Sequence, residues 1–212
     1  MPTLATLEIG FSEPFNPPLL RLSREWNGFS AKYVELGSNV PSDFRSRGQT
    51  HFVALHDIAL RDGEPRVDGL APVFTRDLRD TITFVPRGCG IEGWPHTEAR
   101  SNSFVAMYFD PEALRADLGS RYARREPAPF AYARNPQLQG TLKKLQALVR
   151  ASDVDGLLAE SVCLLASLEI FGVLADPYGR LSDRQITVVT DYVENHLHEL
   201  IRTRCRNRCT RG

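Results

Sequence analysis

The apolar residues of this 212-residue chain change their period at Asn135. Before it they come in short runs rich in β-branched and aromatic residues: Phe29 to Leu36, His51 to Arg61, Thr81 to Val85 and Ser103 to Phe109. Turn chemistry such as Asp62-Gly63, Asp68-Gly69 and Pro86-Arg87-Gly88 separates them, the pattern of several short strands in a sandwich or barrel. Within His51 to Leu60, alternation puts Phe52, Ala54, His56, Ile58 and Leu60 on one face and His51, Val53, Leu55, Asp57 and Ala59 on the other. The first face is the expected core side. Asp110-Pro111 then reads as a cap and first turn of a short helix ending near Gly119, and 119–134, rich in Arg, Ala and Pro, reads as a surface connection.

After Asn135 the spacing is helical. Asn135-Pro136 pairs a capping side chain with a proline at the first helical position, and Leu138, Leu142, Leu145 and Val149 form one stripe. A second helix is expected from Asp153 to Leu174, apolar nearly all round, ended by Asp176-Pro177. Two such helices in succession form an antiparallel hairpin whose apolar surface either packs on the β region or joins two copies of the chain. A third helix follows from Ser182, with Ile186, Val189, Val193, Leu197, Leu200 and Ile201 on one face and a capping box in Ser182 and Gln185. The last eleven residues hold five arginines and no acid or aliphatic side chain, so they are expected to be disordered.

Composition excludes several classes. The apolar fraction of 42 % is that of an ordinary soluble protein. No apolar run reaches the ~18 residues of a membrane span, and the N-terminus lacks a signal-peptide pattern, so a cytoplasmic location is expected. The formal net charge is zero, and with five arginines in the tail the remainder is mildly acidic, without a nucleic-acid footprint of its own. Four cysteines, two of them at Cys205 and Cys209 in the tail, imply no disulfide framework. Cys205 and Cys209 also lack the second pair or histidine that a zinc site needs.

Particular residues carry a resemblance. Asp80-Thr-Ile-Thr-Phe-Val-Pro86-Arg-Gly88, Gly93-Trp94, the run from Phe104 to Leu114 and the later Leu181 to Ile201 together resemble AraC-type transcriptional regulators. The resemblance implies an α+β chain: a cupin-like β-barrel (jelly-roll) sensor over 1–134, a helical dimerisation and linker segment over 135–180, and the first helix of a helix-turn-helix DNA-binding domain over 181–201. It implies effector-responsive control of transcription by a homodimer joined through helices 136–150 and 153–174. The family's recognition helices, which enter the DNA grooves, have no counterpart after Ile201, so no DNA-contacting residue is assigned. The tail at 202–212 reads either as a basic arm that binds DNA without sequence preference or as an out-of-frame peptide replacing the rest of that domain; the run of Arg, Cys and Gly favours the second. The rival reading is a stand-alone cupin-like ligand-binding or dimerisation module.

Metal and catalytic sites are not expected. In the second cupin motif the frame Asp80, Pro86, Gly88 survives, but Ile91 stands where the ligand histidine belongs. His51 and His56 are five apart and point to opposite faces of a strand, so they cannot share an ion. His96 in a turn, and His196 and His198 on a helix face, read as surface residues. No Ser-His-Asp, Cys-His or paired-carboxylate grouping can be assembled, so no cofactor and no enzymatic activity are expected. A small-molecule effector in the barrel is the remaining option, with Tyr33, His56, Phe84 and Trp94 as candidate ligand-binding residues and His56 as the polar group.

Overall fold

In the computed structural model, described for residues 10–11, 18–37, 44–110, 112 and 127–172, strands β1 (Gly10–Phe11) to β12 (Phe130–Ala133) precede helices α1 (Pro136–Arg150) and α2 (Gly156–Ile170). The helix expected after Asp110 beyond residue 112, the helix from Ser182 and the arginine tail lie outside the described residues.

Six strands form the main antiparallel sheet. In spatial order these are β12, β8 (Thr81–Val85), β5 (His51–Asp57), β11 (Asn102–Phe109), β3 (Phe29–Leu36) and β2 (Leu20–Trp26). A second sheet of β1, β4 (Phe44–Arg47), β9 (Gly90–Gly93) and β7 (Arg66–Val67) faces it, and β6 (Leu60–Asp62) pairs with β10 (His96–Thr97) at one end. Side chains from both larger sheets meet in one cluster: Phe52, Ala54, Val85, Ala106 and Tyr108 from the first, Val67 and Ile91 from the second. The architecture is α+β, with the cupin-like two-sheet barrel expected from the sequence.

The run expected over His51 to Arg61 is divided between β5 and β6, which belong to different sheets, because the chain leaves the main sheet after Asp57. Phe29–Leu36 and Thr81–Val85 are strands over the expected residues, and β11 starts one residue earlier than expected, at Asn102. Strands β2, β4 and β9 escaped notice because Arg, Ser, Glu and Gly dilute their alternation. The segment 119–134 is more than a connection, because Phe130–Ala133 adds a strand to β8 at the sheet edge. Pairing supplies its backbone hydrogen bonds, a tertiary effect that local composition does not carry.

The expectation of a single core face on His51 to Leu60 needs correction. Register places Val53 and Leu55 beside Met107 and Val105, and these residues are as buried as Phe52 and Ala54 on the opposite face. The reason is the helical pair. The outer face of the six-stranded sheet, from Phe29 and Ala31 through Val53 to Ile82 and Phe84, shares one core with Leu138, Leu142, Leu145 and Val149 of α1 and with Val162, Cys163, Ala166 and Ile170 of α2. This core crosses the boundary drawn at residue 134.

Helix α1 begins as the sequence predicts. The Asn135 side chain accepts hydrogen bonds from the N–H groups of Gln137 and Leu138, and Pro136 occupies the first turn, where its missing N–H costs nothing. Helix α2 is shorter than expected: Asp155, not Asp153, is its cap, accepting from Leu157 and Leu158, and the helix stops at Ile170. The helices run antiparallel, since Thr141 near the start of α1 donates its hydroxyl to Glu169 near the end of α2 at 3.1 Å. Leu158 is the large apolar side chain of the pair left exposed.

Leu145→Ala should cost about 2–5 kcal/mol, because this fully buried side chain bridges helix and sheet. Urea unfolding followed by far-UV circular dichroism checks this; a loss below about 1 kcal/mol would show that α1 does not depend on the sheet.

Candidate functional site

Cross-strand register sorts the inner face of the main sheet into rungs. One carries Ser30, Tyr108, Phe52 and Val85; the next Lys32, Ala106, Ala54 and Thr83; the third Val34, Phe104, His56 and Thr81. The middle rung places two alanines between aromatic neighbours, with a lysine and a threonine at its ends. Lys32 Nζ lies 5.0 Å from the centre of the Tyr108 ring, and burial pushes the Tyr108 hydroxyl up to about 12.

His56 is the focus of the third rung. Its Nε2 lies 3.0 Å from the hydroxyl of Thr83, and its ring packs at 5.4 Å from the ring of Tyr132. The residue keeps some exposure, but Nδ1 is sealed from solvent and has no hydrogen-bond partner. Desolvation lowers the protonation of the imidazole from its ordinary 6.5 to about 4, so His56 is neutral at physiological pH.

Tyr132 reaches His56 through a backbone irregularity. The register of β12 against β8 shifts between Phe130 and Ala133, and Tyr132 has φ of 53°, the left-handed region that a tyrosine rarely adopts. Its N–H donates to Thr83 Oγ1 at 3.3 Å. Phe130 packs against Phe84 on the outer face, Ala131 joins the inner cluster, and the Tyr132 ring sits by His56 instead of returning outward.

The four candidate residues do not converge. Tyr33 and Phe84 lie on the outer face, in the core shared with the helices: Phe84 is fully buried, and the Tyr33 hydroxyl donates to Glu35 at 2.9 Å with Arg150 4.9 Å from its ring. Trp94 stands exposed in the connection from β9 to β10. His56 alone faces the interior. Strand parity separates it from Tyr33 and Phe84, and aromatic content could not reveal which of the sheet's two buried faces each ring serves. Two site residues were missed. Thr83 was legible, since Thr81 and Thr83 alternate as the polar face of β8; Tyr132 was hidden in a segment read as a connection.

The metal frame can be tested by residue chemistry. Asp80 stands at the glycine position of the turn with φ of 59°, a conformation that aspartate tolerates better than most residues, and its carboxylate pairs with Lys143 at 2.9 Å. The frame is therefore kept in the backbone. Ile91, at the ligand position, is buried in the inner cluster, and its cross-strand neighbour is Ser46. These residues do not fit a metal: an aliphatic side chain offers no lone pair. Among the described residues no group of three or more His, Cys, Asp or Glu is placed to hold an ion. His51, on the outer face, packs among Phe84, Phe109 and Phe171, and its Nδ1 accepts the N–H of Arg87. His96 lies half-buried in β10. Cys163 is buried and its thiol is pushed upward by desolvation, away from reactivity. His196, His198, Cys205 and Cys209 lie outside the described residues, among which no helix is long and apolar enough to cross a membrane.

Folded His56 protonates near pH 4 and an unfolded histidine near 6.5, so the unfolded state binds more protons between those values. The stability due to neutral His56 is complete above pH 6.5 and falls as pH drops towards 4, by up to about 3 kcal/mol. Urea titrations across this range should show that His56→Gln loses this part of the acid sensitivity. Parallel profiles for the two proteins would contradict it.

The sequence matches no family model and no curated protein. Similar solved structures include cupin domains. The cupin domain of Schizosaccharomyces pombe Cnp3 is 15% identical, covering 54% of this chain and 70% of its own, with a TM-score of 0.34. A putative mannose-6-phosphate isomerase from Ralstonia eutropha is 16% identical, covering 51% and 90%, at 0.31. A cupin 2 conserved barrel domain protein from Salinispora arenicola is 15% identical, covering 57% and 85%, at 0.27. At such scores the likeness carries no argument about activity, and the cupin-like reading of the barrel stands on its own strand order and facing sheets.

Proposed function

We propose that this chain is the effector-sensing and dimerisation part of an AraC-type transcriptional regulator. The observation that carries the sensing half is the barrel interior: the cupin turn is retained, but Ile91 fills the ligand position with apolar bulk, and neutral His56, held by Thr83 through Nε2, keeps an unpartnered Nδ1 in an aromatic setting. Such an interior suits reversible binding of a small molecule better than metal-assisted chemistry. The regulatory half rests on the resemblance of the Asp80 to Leu114 and Leu181 to Ile201 stretches.

In this reading the helical pair is the route from effector to partner. Helix α1 packs on the outer face of the strands whose inner face carries His56, and Lys143 ties it to the turn that opens β8. A ligand that shifts β5 or β8 would thus be felt by α1 through direct packing. Two copies would meet through the same helices, with exposed Leu158 on the contact surface. A stand-alone cupin-like ligand-binding or dimerisation module without DNA binding is the second reading, which the two-sheet barrel and its helical pair fit about as well.

Two measurements separate these readings. Gel-shift assays with excess nonspecific DNA should leave a residual sequence-selected complex if regulation is retained; complete competition favours the module. Sedimentation over a range of concentrations should show a dimer weakened by Leu158→Glu, and a strict monomer would remove the dimer proposal.

A further inference from the structure

Two unfavourable features meet at one point of the barrel. The Nδ1 atom of His56 is buried without a partner, so it has given up its hydration for nothing. A step away, Tyr132 holds a strained left-handed backbone and thereby lays its ring against His56. Regular alternation would have sent the Tyr132 ring outward; turned inward, it packs beside Phe104 on the apolar cluster of Ile58, Leu60 and Leu78 and closes over His56. A bulge that re-aims an aromatic side chain onto an unsatisfied imidazole is the form a binding subsite takes.

We propose that the His56, Thr83 and Tyr132 end of the barrel is a subsite for a small neutral ring-bearing molecule, whose hydroxyl pairs with His56 Nδ1. The chemistry follows from what surrounds that atom. Thr83 Oγ1 accepts the Tyr132 N–H, shares a further hydrogen bond with the Tyr132 side chain, and lies 3.0 Å from His56 Nε2. If Nε2 carries the imidazole proton, Nδ1 is an unmet acceptor; if Thr83 donates to Nε2, Nδ1 is an unmet donor. A hydroxyl can satisfy either tautomer, whereas a carbonyl or an ammonium can satisfy only one. Phe104, directly across from His56 on β11, and Tyr132 offer ring faces for the ligand's apolar body. A carboxylate would be disfavoured, since neutral His56 offers no positive charge to replace its hydration.

This deepens the sensor reading and rests on it in supposing that the interior admits a small molecule. The probe is phenol, with benzene and benzoate as controls, titrated into the full chain at pH 7 while the side-chain 15N resonances of His56 are recorded. Phenol should move the Nδ1 resonance and bind about tenfold more tightly than benzene, the ratio that one hydrogen bond of about 1.4 kcal/mol supplies. Benzoate should not bind over the range in which phenol saturates. In His56→Phe the preference for phenol over benzene should vanish; because the wild-type resonance reads the contact directly, failure of that variant to fold leaves the test intact. Phenol that leaves Nδ1 unmoved, or moves it no more than benzene does, overturns the subsite. A different small molecule that raises the melting temperature without disturbing Nδ1 also overturns it, while leaving the sensor reading standing.

Discussion

The burial of both faces of the six-stranded sheet is the constraint on which the rest of this structure depends. A half-buried antiparallel sheet alternates apolar and polar residues, but β5 reads His-Phe-Val-Ala-Leu-His and buries its first five residues, because one face meets the second sheet and the other meets α1 and α2. Each central strand therefore serves two cores at once. Phe84 and Val85 are neighbours in sequence, yet one packs under the helices and the other inside the barrel.

This double burial explains the character of the candidate site. The helical side takes the bulky set of Phe29, Tyr33, Phe84, Met107 and Phe109 and is closed off by the leucines of α1. The inner side mixes small and polar groups, Ala54, Ala106, Thr83 and His56, with aromatic ones, a composition that leaves polar atoms to be satisfied. His56 Nδ1 and Ser30 Oγ are inner-face atoms that go unsatisfied, and the bulge at Tyr132 concentrates strain beside the first of them. The loss of a ligating side chain at Ile91 belongs to the same picture, since that position now contributes to the inner apolar cluster.

Much of the architecture was legible in the sequence, and the exceptions have physical causes. Strands β3, β8 and β11 declared themselves through β-branched and aromatic runs, and α1 through Asn135-Pro136 and its leucine stripe, because those signals are local. The start of α2 was misplaced since Asp153 and Asp155 are equally good caps by type, and backbone geometry selects the second. The polar strands β4 and β9, and β12 in its arginine-rich setting, are held by pairing partners distant in sequence, while β2 forms a hairpin with its neighbour β3 and was hidden by its polar composition alone. For the site, His56 was found as the one polar group on its face. Tyr33 and Phe84 lie on the opposite face from it, which the sequence did not show because aromatic residues line both cores and only register separates them.

Amide hydrogen exchange under native conditions tests the shared core most directly. If the helical pair and the sheet are one cooperative unit, the amides of Val53, Leu55 and Met107 should exchange with the same free energy of opening as those of Leu142 and Leu145. Helix amides opening several kcal/mol more easily than the sheet amides would contradict this, showing the pair to be a loosely docked appendage instead of the second wall of the sheet.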